Sequence, residues 1–199
     1  MSRLLPLLSA LLVASPAMAE EPWMWGVGPR VGVDVAPTDR LGASAEVAPF
    51  SPVTWDVALG ADAAIYPVNW YRIRTVTELQ LGQRWVEGSF AVTWNYVPRI
   101  QQFQIPMGVG AGAAVGRATA PTGERIRRST LPLVAEIGVL EEHRRWAWQV
   151  MAVGSLELPA GAVLLDGDGA RTPLARSVAG TLGVEASILF GDFHPPRVK

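Results

Sequence analysis

The strongest constraint in the chain is a strict two-residue alternation near its C-terminus. Residues 177–190 read Ser-Val-Ala-Gly-Thr-Leu-Gly-Val-Glu-Ala-Ser-Ile-Leu-Phe, and from Leu182 every second residue is apolar: Leu182, Val184, Ala186, Ile188 and Phe190. Between them stand Thr181, Gly183, Glu185 and Ser187, small or polar, with Leu189 the exception. A period of two places the two sets on opposite faces of a β-strand. One such strand would serve a soluble sheet equally well, so recurrence along the chain has to decide.

The pattern recurs over about 23–35, 54–66, 70–83, 89–98, 103–117, 130–140 and 146–158. In the first stretch Trp23, Trp25, Val27, Val31, Val33 and Val35 oppose Gly26, Gly28, Arg30, Gly32 and Asp34. Pro29 interrupts it, because proline cannot donate to a ladder, and predicts a bulge or a later strand start. In the third, Tyr71, Ile73, Leu79 and Leu81 oppose Arg72, Arg74, Glu78 and Gln80. With the terminal stretch these make eight strands. A strand of ~12 residues rises ~40 Å and, tilted by ~40°, covers an apolar band ~25 Å tall. Soluble sandwiches use strands of ~5–6 residues. The longest connections, 36–53, 118–129 and 159–175, lie on one side of the array, with 84–88 a short exception there, and short links lie on the other. Long external loops and short periplasmic turns are the habit of outer-membrane barrels. The expected fold is all-β: an eight-stranded antiparallel up-and-down transmembrane β-barrel with both chain ends toward the periplasm. Ten strands is the alternative, because Leu41, Ala43, Ala45 and Val47 alternate weakly.

Residues 1–19 read as a signal peptide. Arg3 precedes an apolar run, Leu4 to Val13, and Ala17-Met18-Ala19 is a small-x-small cleavage site. The run is too short to span a bilayer as a helix. The expected division is signal peptide 1–19, barrel 20–190 and periplasmic tail 191–199. Export gives the absence of cysteine its meaning: it excludes a disulfide scaffold, a thiol nucleophile and a Cys-ligated metal. A net charge of −1 gives no global field for nucleic acid, which is not an expected partner. The histidines are His143 and His194, one in a turn and one in the tail, and no Ser/His/acid grouping falls near lipid. No enzyme activity, cofactor or metal is expected. Asp166-Gly167-Asp168-Gly169 lacks the spacing of a calcium loop and reads as a turn.

On this topology Trp23, Trp25, Trp70, Tyr71, Trp94, Tyr96, Phe103, Trp146, Trp148 and Phe190 gather at the periplasmic rim, and Trp55 and Trp85 at the outer rim. Amphipathic rings belong at the headgroup level, whereas a soluble core would bury them near mid-strand.

These features, and the final strand above all, resemble the small bacterial outer-membrane β-barrel proteins, loosely of the OmpA/OmpX type. Such proteins carry a last-strand assembly signal: polar, x, Gly, x, x, apolar, x, apolar. Thr181, Gly183, Ala186 and Ile188 fit it, followed by Phe190. The resemblance implies recognition by the barrel-assembly machinery and a monomer surrounded by outer-membrane lipid. The chain departs from the family in continuing past the aromatic, from Gly191 to Lys199.

The face opposite the apolar one carries Arg30, Asp34, Asp56, Asp62, Arg72, Arg74, Glu78, Glu136, Glu157 and Glu185. A three-residue turn at 67–69 predicts Asp62 directly opposite Arg74. Two readings follow. One is a cation-favouring path or small-ligand carrier. The other is a salt-bridge network filling the lumen, favoured because eight strands leave room only for side chains. Gly108, Gly110, Gly112 and Gly116, with Ala114, form an inner row almost without side chains, joined by Gly26, Gly28 and Gly32. Glycine inside a strand marks close approach, here by a ligand or, preferably, by Arg72 and Arg74 reaching across. Arg125, Arg127 and Arg128 are expected in an external loop. Guanidinium groups suit phosphates, so lipopolysaccharide contact is a candidate, beside the plainer reading of a solvated loop. The expected role is structural, adhesive or surface-interacting. A secreted lipocalin-like barrel, with its apolar face inward, is the remaining alternative.

Overall fold

The computed structural model describes residues 23–36, 54–68, 70–82, 85–119, 125–165, 171–173 and 178–193. The expected signal peptide, the connection 36–53 beyond Ala36, the weak alternation at 41–47, the Asp166–Gly169 turn, His194 and the rest of the tail lie outside these residues. Eleven strands form one sheet: β1 (Met24–Ala36), β2 (Thr54–Val68), β3 (Tyr71–Gly82), β4 (Trp85–Tyr96), β5 (Arg99–Ile100), β6 (Phe103–Gln104), β7 (Met107–Thr119), β8 (Arg125–Glu142), β9 (Trp146–Leu165), β10 (Arg171–Pro173) and β11 (Ala179–Asp192). Eight of them, β1, β2, β3, β4, β7, β8, β9 and β11, pair antiparallel in sequence, and β11 returns to β1 to close the cylinder. Closure gives each of the eight long strands a neighbour on both sides, which is what a hydrocarbon environment demands of strands. Among the described residues it leaves open edges only at the short β5 and β10 and where β9 outruns β11.

The apolar side chains point outward. Leu182, Val184 and Ile188 are 64%, 59% and 47% exposed, whereas Thr181, Glu185 and Ser187 between them are buried. The same inversion runs around the wall, with Val31, Leu59, Leu79, Val109, Leu133 and Leu156 all exposed. This overturns the lipocalin-like alternative, which needs the apolar face inside.

Pro29 causes no bulge. It pairs with Ala61 in an unbroken register with β2, and only the pairings of Gly28 and Pro29 with β11 are missing. Pro132 does the same between β7 and β8, where the ladder skips from Ala111↔Leu133 to Ala114↔Thr130 without a shift. The link before β7 is longer than expected. Strand β7 starts at Met107 rather than at 103, because Pro98 and Pro106 bracket a small β5–β6 hairpin with Gln101 at φ 57°. That hairpin joins β8 through Gln104↔Leu140 and the bond from Gly138 N to Pro106 O.

The far ends of β8 and β9 correct the sequence reading most. The expected loops 118–129 and 159–175 are largely strand: β8 begins at Arg125 and β9 runs to Leu165, where β10 folds back on it. From Leu158 to Leu165, β9 has outrun β11, whose pairing with it ends at Ala179↔Glu157. A four-strand ribbon made from the ends of β7, β8, β9 and β10 therefore continues the wall on one side. A β-bulge between Ser129 and Thr130 marks where this extension begins.

Candidate functional site: the filled lumen

The inner face is built by the second set of each alternation. Arg30, Asp34, Asp56, Asp62, Arg72, Arg74, Glu136, Glu157 and Glu185 are each at most 6% exposed, and the Glu78 side chain is 10% exposed. The structure brings most of them together around Arg74, from β3. Its Nε donates to Asp62 Oδ1 and Oδ2 at 3.0 and 2.9 Å, and its Nη2 to Asp62 Oδ2 at 2.6 Å. Arg74 also pairs with Glu136 through Nη1, and with Glu185 at 3.2 Å through Nη2. The partners come from β2, β8 and β11, so one guanidinium ties three other strands across the lumen.

The Asp62–Arg74 pair forms in a register other than the expected one. Asp62 lies opposite Val76, and Ala64 opposite Arg74, because the chain turns tighter, at Val68↔Tyr71, and shifts once between Ile65 and Val68. Asp62 and Arg74 are diagonal neighbours, within reach for a long side chain.

Arg72 forms a second bridge one layer nearer the chain ends. Its Nη1 donates to Gln149 Oε1 at 2.6 Å and its Nη2 to Asn95 Oδ1 at 3.2 Å. Gln149 Nε2 returns to Asp62 at 2.6 Å and to Ser187 Oγ at 2.8 Å, while Asn95 Nδ2 donates to Glu136 Oε1 at 2.8 Å. The two arginine layers thus share one network. On the other side, Arg30 pairs with Glu185 and, at 2.8 Å, with Glu78, which also accepts from Gln80 and Ser89.

Arg128 does not lie in an external loop. It is 4% exposed, points into the lumen from β8 and holds Glu157 at 2.6 Å. Its neighbours Arg125 and Arg127 are exposed on the outer face, as alternation requires once this segment is strand. Trp85 is also inside: it is 8% exposed, because β4 begins four residues earlier than expected and Trp85 shares the parity of the buried Thr93 and Asn95. That earlier start brings in Glu87, which the alternation would have revealed had the strand been extended.

The glycine row has a different cause from the expected one. A Cβ on Gly110 would strike Val92 O and Thr93, one on Gly108 would meet Trp94 O and the Asn95 amide, and one on Gly116 would enter the Trp85 ring. The row makes room for its neighbour β4, not for Arg72 or Arg74.

Toward the chain ends the lumen turns apolar. Met24, Ala64, Tyr66, Val97, Leu140, Ala147, Leu189 and Phe193 form a buried cluster. Phe193 turns inward after β11, held by bonds from its N to Arg144 O and from Gly191 N to Arg145 O. Its ring meets Tyr66 edge-on at 6.2 Å and lies against Gly26, where any Cβ would collide with it. The last strand thus runs two residues past Phe190, and the first residue after it is a stopper. Leu189, the exception to the alternation, is part of this seal.

On the far side of the arginine layers is a chamber of about 60 Å³, lined by Arg30, Glu78, Glu87, Thr130, Glu157 and others. That is room for a few waters and no more. Among the described residues no group of His, Asp or Glu has the geometry to hold a metal ion.

The expected rim aromatics Trp23, Trp25, Trp70, Trp94, Tyr96, Trp146 and Phe190 are exposed on the outer face, and Tyr71 and Trp148 are half-buried there. Ring contacts link Trp70 to Tyr71 and Tyr96, and Phe103 to Trp148. Trp148 Nε1 also donates to Glu141 at 2.9 Å. In the assembly-signal stretch, Thr181 faces inward, while Ala186, Ile188 and Phe190 face outward.

No protein-family model and no curated protein matches the chain. Among solved structures it is similar to Neisserial surface protein A (NspA), at 10% identity and a TM-score of 0.63, covering 87% of this chain and 100% of that one. It is also similar to OprG from Pseudomonas aeruginosa (13% identity, TM-score 0.48, 86% and 95% covered). A third is Ail, the attachment invasion locus protein of Yersinia pestis (12% identity, TM-score 0.47, 85% and 100% covered). The fold is the eight-stranded barrel of small bacterial outer-membrane proteins.

Proposed function

We propose that the protein is an integral outer-membrane barrel whose lumen is filled, and that it works through its outer end in a structural, adhesive or surface-interacting role. The observation that carries this reading is the pair of fully buried arginine layers, Arg72 at 0% and Arg74 at 1% exposure, above an apolar seal. A conducting path would have to break both. The extended ribbon of β8 and β9 supplies surface at the outer end. The final strand, with its match to the assembly signal, is the segment the barrel-assembly machinery would engage, and the segment before Glu20 the one that would direct export.

One observation favours a second reading, a narrow cation-favouring pore. The described lumen buries four guanidiniums, Arg30, Arg72, Arg74 and Arg128, against a larger number of buried carboxylates, Asp34, Asp56, Asp62, Glu87, Glu136, Glu142, Glu157 and Glu185. Planar-bilayer recording of the refolded full chain separates the two. The filled-lumen reading expects no unitary steps. Regular cation-selective steps that Glu78→Ala alters would replace it with the pore.

A further inference from the structure

The outer face of the ribbon carries charge without partners. Arg117 on β7 lies directly opposite Arg127 on β8, and Arg125 lies opposite Leu165 of β9, which in turn lies opposite Arg171 of β10. Directly paired residues share a face, so all four arginines stand on one outward surface, and all four are exposed. Among the described residues none of them makes an ion pair. Like charges opposite each other across a ladder are destabilising. The Arg117–Arg127 pair therefore calls for an anion, and none of the described residues supplies one.

A second feature lies below on the same strands. The outward row Val109, Ala135, Gly154 and Leu182 crosses β7, β8, β9 and β11 in direct register, and the next row carries Leu133, Leu156 and Gly180. The small residues sink the floor between the large ones, leaving an apolar groove of about 600 Å³. Along β8 the groove begins six residues from Arg127, at Leu133. At ~3.3 Å per residue and a ~40° tilt this is about 15 Å below the guanidiniums, and the Gly154 row lies about 20 Å below them. Headgroup phosphates stand ~5–7 Å above the ~30 Å hydrocarbon core, so the tail of an outer-leaflet acyl chain reaches both rows.

From the cluster and the groove together we infer a binding site for a phosphorylated glycolipid of the outer leaflet, of the lipid A class. The phosphates sit on Arg117, Arg125, Arg127 and Arg171, and an acyl chain lies over Gly154 and Gly180. Guanidinium forks match phosphate oxygens, and the groove supplies the apolar contact that a free phosphate cannot use. The inference rests on the outer-membrane reading above for which end meets the outer leaflet. It also corrects the sequence expectation at one position: Arg128 is committed to Glu157 within, and Arg117 and Arg171 take its place.

The test is native mass spectrometry of the full chain refolded into vesicles of phosphatidylcholine with lipid A, phosphatidylglycerol or dephosphorylated lipid A. The expected result is retained lipid A. Retention should fall at least tenfold when all four arginines are changed to Gln, and several-fold for Gly154→Leu, which fills the groove and leaves the charges alone. Arg144→Gln/Arg145→Gln, at the opposite rim, should leave it unchanged. R127E gives a readout of opposite sign. It pairs with Arg117, so in zwitterionic detergent it should unfold no earlier than the wild type, yet it should lose lipid A. Equal retention by the four-Gln variant, or equal retention of phosphatidylglycerol or dephosphorylated lipid A, overturns the site. Failure to reach the compact, heat-modifiable folded form in any vesicle instead overturns the outer-membrane reading.

Discussion

Arg74 bears more of the interior than any other side chain. Removing it strands Asp62, Glu136 and Glu185 in a space that water barely enters. Taking one partner from a buried ion pair costs ~3–5 kcal/mol, mostly the penalty on the charge left behind. Arg74→Met should lower the unfolding free energy in urea by about that amount, and Asp62→Asn added to it should recover part of the loss. An exposed control, Arg127→Gln, should stay within ~0.5 kcal/mol. At the other end of the lumen, Phe193 and Gly26 occupy the same space by design of size. Phe193→Ala should cost ~3–5 kcal/mol, and Gly26→Val should be costly because its side chain falls on the ring. The double variant should cost less than the sum, since the clash disappears with the ring. Additive losses would mean that the two residues do not meet.

At the scale of the element, the period of two made the strands readable, and a change of phase made parts of them unreadable. In β9 the outward set is Leu156 and Leu158 before the bulge and Val163 and Leu165 after it. One extra residue flips the parity, so Pro159-Ala160-Gly161 looks like the start of a loop. Arg125–Ser129 was hidden differently: its outward positions, Arg125, Arg127 and Ser129, are polar rather than apolar, so the stretch reads as a polar loop although its parity is that of the rest of β8. Extending β8 to Arg125 at constant parity would have sent Arg128 inward and Arg127 outward from the sequence alone. The lumen charges were legible because ionised residues recur at one parity in six strands. Their partners were not, because diagonal contacts depend on turn geometry to within one residue, as Asp62 and Arg74 demonstrate. The role of Phe193 was hidden for another reason: it follows the last strand, and no alternation reaches it. In the last strand Phe190→Ala, which removes the outward terminal aromatic, should slow assembly in a reconstituted barrel-assembly assay several-fold. It should lower the unfolding midpoint of the refolded protein only modestly, because Phe190 lies on the outer face and its removal opens no cavity in the lumen.

For the whole molecule, everything turns on an inside-out arrangement, with apolar residues toward lipid and ionised ones enclosed. The chain contains no cysteine, so each introduced thiol is a single reporter. Nitroxide labels placed one at a time from Thr181 to Phe190, in the refolded protein in phospholipid vesicles, report collision with oxygen, which partitions into lipid, and with a water-soluble nickel chelate. An outward apolar face predicts high oxygen and low nickel accessibility at Leu182, Val184, Ala186 and Ile188, alternating with low accessibility to both at Thr181, Glu185 and Ser187. Nickel accessibility at Leu182, Val184 and Ile188, or an oxygen profile without the period of two, would contradict the barrel.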